Sequence, residues 1–150
     1  MARTFWTFKH VLRLGYDTYW FVEGDSIATA KAPTKLTDGI HCFRWENYQT
    51  EFRAKTFLHW ALGLNRKSLT QLAEASDLYN PAQEQGFPDR LIALICEEQG
   101  IKIHHRPDIS YSRNRLDRPE YVQQAQEAIR NGASFVHGLK TQDDLNTLFA

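Results

Sequence analysis

Cysteine is scarce. Cys42 and Cys96 are the only two in 150 residues, too few and too far apart for a disulfide framework, so a reduced, cytoplasmic setting is the expectation. Long apolar runs are missing as well. The longest, Leu91-Ile92-Ala93-Leu94-Ile95-Cys96, falls far short of the roughly 20 residues that span a bilayer, and no membrane partner is expected. Neither sign of charge dominates: 18 Lys and Arg stand against 18 Asp and Glu, so no global field draws the chain to nucleic acid or lipid. There is no repeat, no low-complexity tract and no linker rich in Pro, Ser or Gly. Residues 1–150 therefore read as a single domain.

Chemical signatures are equally sparse. Six histidines occur without a Cys-x-x-Cys, His-x-x-x-His or His-Glu-x-x-His spacing, so no metal is expected. His104 and His105, adjacent on an expected strand, point to opposite faces, as do His41 and Cys42. No Gly-x-Ser-x-Gly, Gly-x-x-x-x-Gly-Lys or Gly-x-Gly-x-x-Gly is present, which removes those routes to catalysis and to nucleotide cofactors. No cofactor is expected.

What the chain does have is aromatic bulk, with four Trp, six Tyr and nine Phe, a payload that disordered chains lack. Phe5, Phe8, Val11 and Leu12 share one helical face while Lys9, His10 and Arg13 take the other, an amphipathic element packed on a core. Tyr19-Trp20-Phe21-Val22 is a β-forming run, Glu23-Gly24-Asp25 a turn, and Ser26 to Ala30 a returning strand; Ile40 to Trp45 adds a third. From Thr50 to Leu62 the dense apolar content reads as a buried helix. Trp20, Trp45 and Trp60 serve either the core or, exposed, an oligomer interface.

Beyond residue 65 the pattern alternates. Ser68 with Gln71 suggests a capping box, and Pro88 to Gln99, closed by Gly100, reads as a helix. The apolar run inside that helix and its Glu97-Glu98 end argue against a DNA-reading helix-turn-helix. Ile101 to His105 reads as a strand, Asp117 with Glu120 opens a helix closed by Gly132, Ala133 to His137 is a further strand, and Thr141 with Asp144 opens the last helix. The fold class is thus α+β. An N-terminal antiparallel hairpin sheet with helices (residues 1–64) is joined to a C-terminal helix-strand-helix-strand-helix part (65–150) resembling a βαβ unit.

The expected parallel pairing of 101–105 with 133–137 concentrates basic groups at one edge, because ligands of such units collect at the carboxyl ends of the strands. Arg106, Tyr111, Arg113, Arg115 and Lys140 are the candidate anion- or partner-binding residues, with arginine forks suited to phosphate or carboxylate and Tyr111 able to stack on a base. The first functional expectation is a non-enzymatic regulatory protein. It would recognise an anionic macromolecular surface, an acidic protein face or nucleic acid, through the basic loop. The alternatives are an enzyme acting on a phosphate-bearing small substrate, with His137 or His105 as general acid or base, and a nucleic-acid-binding regulator.

Overall fold

The structure is a computed structural model that describes residues 2–46, 53–58, 61–79, 88–111, 118–139 and 141–148. The chain opens with α1 (Ala2–Val11), whose Phe5 and Phe8 are buried while Lys9 and His10 face solvent, as its apolar spacing requires. The Phe8 ring meets Phe21 edge-on at 4.6 Å, which fixes the helix to the first strand.

Strands follow in short pieces: β1 (Thr18–Val22), β2 (Ser26–Ala28), β3 (Ile40–Cys42), β4 (Arg44–Glu46), β5 (Thr56–Leu58) and β6 (Ala61–Asn65). Then come α2 (Arg66–Ala75), α3 (Pro88–Gln99), β7 (Ile103–His105), β8 (Ile109–Tyr111), α4 (Arg118–Arg130), β9 (Phe135–His137) and α5 (Gln142–Leu148). One sheet has the order β1-β6-β3-β7, another β2-β9-β8, and β4 pairs with β5 alone. The pairs β1–β6, β3–β6, β2–β9 and β4–β5 are antiparallel; β3–β7 and β8–β9 are parallel. The class is α+β, with a β8–α4–β9 unit in its C-terminal part.

Three expectations need correction. Residues 56–58 and 61–65 are strands, not the second half of a helix over 50–62. A short apolar run buried on both faces looks alike in helix and strand, and only length separates them. The Glu23-Gly24-Asp25 turn forms, with the Ser26 N–H donating to the Glu23 carbonyl at 3.0 Å, yet it closes no hairpin. β1 goes to β6 and β2 to β9, so the turn carries the chain from one sheet to another. Finally, α2 is capped by Asn65, whose Oδ1 accepts from the Ser68 N–H at 2.9 Å. Ser68 instead accepts the Gly39 N–H on its hydroxyl at 2.6 Å. The box at the last helix forms as read: the Asp144 N–H donates to Thr141 Oγ1 and the Thr141 N–H to Asp144 Oδ2.

Leu91 to Cys96 of α3 are all buried, against β5 and α2. Each large side chain there contributes about 1.5–3 kcal/mol by leaving water. A second cluster, Tyr121, Val122, Ala125, Val136 and Leu148, holds α4 and α5 to β9. The two sheets meet where the Trp20 ring packs 4.4 Å from Phe135. Trp20 also lies over its ladder partner Gly63, where a Cβ would come within 2.6 Å of the indole, and its Nε1 donates to the Pro33 carbonyl at 2.9 Å. Trp20 is thus turned to the interior. Trp60 lies outside the described residues. Among the described residues no helix is long and apolar enough to cross a membrane.

Gly39 has φ +117 and no room for a Cβ, which would fall 2.5 Å from the Lys102 carbonyl oxygen. Gly100, at φ +67, faces open space. Gly39→Ala is therefore expected to lower unfolding stability by about 3 kcal/mol, through strain and overpacking together. Gly100→Ala loses only about 1 kcal/mol from its left-handed backbone. Urea denaturation of the two variants measures the difference, and equal losses would contradict the close approach at Gly39.

Candidate functional site at the carboxyl end of β8 and β9

The expected edge is not built by the expected strands. Residues 103–105 pair with β3 in one sheet and 135–137 with β8 in another, so the expected pairing of 101–105 with 133–137 does not form. The strand lying parallel to β9 is β8, and its last residue, Tyr111, is in register with His137. The carboxyl ends that converge are those of Tyr111 and His137. Arg113, Arg115 and Lys140 lie outside the described residues.

Arg106 does not belong to this end. It precedes β8, and its guanidinium makes a fork on Asp108, with Nε donating to Oδ1 at 2.7 Å. Ser134, just before β9, donates its hydroxyl to the same carboxylate. Burial pushes the Asp108 carboxyl up, but the bonds from Arg106 and Ser134 outweigh it and hold the group below the usual carboxylate range. This pair braces the amino end of the β8–β9 unit, opposite the expected site. His105 is likewise elsewhere: it faces Cys42 across the β3–β7 ladder, and its ring packs on Phe43.

At the carboxyl end the residue that stands out is His137, 4% exposed. Its Nε2 lies 2.9 Å from Glu23 Oε2 and 3.2 Å from Asp25 Oδ1. The backbone explains how acids from a distant turn reach it. The Asp25 carbonyl accepts the N–H groups of Gly138 (2.8 Å) and Leu139 (3.0 Å), which ties the 23–25 turn to the residues after β9. Gly138, at φ +100, bends the chain there in a conformation that favours glycine. β2 then pairs with β9 so that Ser26 stands directly across from His137, on the same face. The Ser26 hydroxyl oxygen is buried and has no hydrogen-bond partner among the described residues. One ligand atom from each of Glu23, Asp25 and His137 lies within 4.8 Å of the others. The Glu23 side chain is 39% exposed and Asp25 16%, so the cluster opens to solvent on the side of the acids.

Glu23 and Asp25 were legible only as turn residues. Glu23 is 114 positions from its partner His137, and no local spacing signals that meeting.

A second histidine grouping sits on the β3–β7 pair. His41 stacks on His104 with ring centroids 4.4 Å apart, its Nε2 within 3.1 Å of the Thr37 carbonyl; His104 Nε2 lies 2.8 Å from the Asp38 carbonyl. Cys96, buried in α3, has its thiol pushed far up by that burial and then by neighbouring Cys42 and Glu97, which favours the protonated form.

Comparison with known protein families, curated proteins and solved structures finds no match.

Burial, together with the charges of His104 and Arg106, holds the His41 imidazole below its usual range, against a raising contribution from the Thr37 carbonyl. The fold thus favours neutral His41. Its contribution to stability is complete above the unfolded value near 6.5 and is lost as pH falls through the depressed folded value. The urea midpoint should drop between pH 7.5 and 5, and His41→Gln should flatten that drop. An identical pH dependence in the variant would remove His41 from the account.

Proposed function

We propose that the carboxyl edge of β8 and β9 binds and transforms a phosphate-bearing small substrate. The Glu23–Asp25–His137 cluster is its reactive centre, and Arg113, Arg115 and Lys140 grip the anion. The observation that supports this reading is the convergence of two carboxylates and a buried imidazole on one point, at the strand ends where parallel units place their ligands.

A surface that only grips anions gains nothing from Glu23 and Asp25, whose charges repel phosphate. The two acids suit instead chemistry in which a positive charge must be held beside a substrate oxygen. His137 is buried, so Glu23, the most open member, is the group a substrate meets. Asp25 and His137 set its position and charge from beneath.

The test is a panel of nucleotides and sugar phosphates followed by 31P NMR for binding and turnover. Glu23→Gln should lower turnover by about 10²–10⁴-fold. Replacing Arg113, Arg115 and Lys140 together by Ala should weaken affinity first. Binding of an acidic protein or nucleic acid without turnover, unaffected by Glu23→Gln and weakening steeply with salt, would overturn this reading in favour of a non-enzymatic binding protein.

A further inference from the structure

We infer that Glu23, Asp25 and His137 form a binding site for one divalent first-row cation of the manganese or zinc type. This inference rests on the proposed reactive centre and names the charge it holds. Metal bonds from imidazole nitrogen and carboxylate oxygen are about 2.0–2.2 Å long, which sets neighbouring donor atoms roughly 3 Å apart in octahedral and 3.4 Å in tetrahedral geometry. His137 Nε2 lies 2.9 Å from Glu23 Oε2 and 3.2 Å from Asp25 Oδ1, both at coordination spacing, and one ligand atom from each of the three residues lies within 4.8 Å of the others.

Charge agrees with geometry. Two carboxylates and a neutral imidazole sum to −2, which a divalent ion neutralises, whereas a proton on His137 leaves −1 in a partly buried place. Donor chemistry narrows the ion: one nitrogen and two oxygens suit manganese, iron, cobalt or zinc, and disfavour magnesium and calcium, which prefer oxygen alone.

The third observation is independent of the acids. Ser26, held across the ladder from His137, buries a hydroxyl oxygen with no hydrogen-bond partner among the described residues. Leaving such a group unsatisfied is costly, and a water on the metal would supply its partner. The three protein donors leave positions open on the solvent side, where the exposed flank of Glu23 lies. A cation there would meet a substrate phosphate oxygen directly and offset the repulsion from the two acids.

The test uses the full chain, treated with a chelator and then titrated with Mn²⁺ or Zn²⁺ in the absence of any substrate. Saturable binding of one equivalent is expected, with a rise in thermal midpoint that grows with metal concentration. Glu23→Gln and Asp25→Asn should each weaken that binding by about tenfold or more, since each keeps shape but loses a charged donor. His41→Gln should leave it unchanged. Mn²⁺ at a small fraction of one equivalent should broaden the His137 ring signals in wild-type NMR spectra, a readout that needs no variant to fold. Absence of one-equivalent binding, binding undiminished in both acid variants, or broadening confined to other histidines would each overturn the inference. Substrate turnover that persists in chelator would remove the metal while leaving the proposed function standing.

Discussion

The arrangement at the carboxyl end of β9 depends on one pair of hydrogen bonds, those the Asp25 carbonyl accepts from the Gly138 and Leu139 N–H groups. They anchor the turn at which the chain leaves one sheet and enters the other. They extend the β2–β9 ladder, in which Ser26 pairs with His137, by one residue into the turn, and so hold Glu23 and Asp25 beside that histidine. Backbone bonds of this kind are insensitive to the side chains they bring together. A turn built for connectivity can therefore also position two carboxylates with little strain, provided residue 138 tolerates φ +100, as glycine does.

The joint between the sheets does the complementary work. Trp20 leaves β1, covers Gly63 on β6 and reaches Phe135 on β9, so one indole is shared by both sheets. Below it, Ala61, Ile109 and Phe135 form a small apolar cluster between the sheets. A packed aromatic joint of this sort resists sliding, because protein interiors have few voids into which a displaced ring can move. His137, two residues after Phe135 on β9, is thereby held on the strand that both sheets share through this ring contact.

The fold was partly legible because some residues act through their nearest neighbours in sequence. Pro88 and Gly100 mark both ends of α3, Thr141 and Asp144 cap α5, and the Phe5–Phe8 stripe marks the buried face of α1. Each is a contact within one or two helical turns. The stretch around Leu58 and Leu62 failed for the opposite reason. Those side chains are buried by partners far along the chain, so no periodicity survives to say strand. The site followed the same division: His137 was named from its place at a strand end, whereas Arg106, judged by charge alone, turned out to be committed to Asp108.

The sequence by itself determined the α+β class, most of the helices and the identity of the buried α3, because propensity, capping and apolar spacing are local and written in consecutive residues. Only the tertiary structure decided which strands pair, which end of β8 and β9 collects chemistry, and that two acids of a turn meet a histidine 114 positions away from one of them. Strand pairing and side-chain convergence are set by long-range packing free energy and by which surfaces remain to be covered once the helices have docked. A linear pattern records the preference of each segment for a conformation, and holds almost nothing about the partner that segment will find.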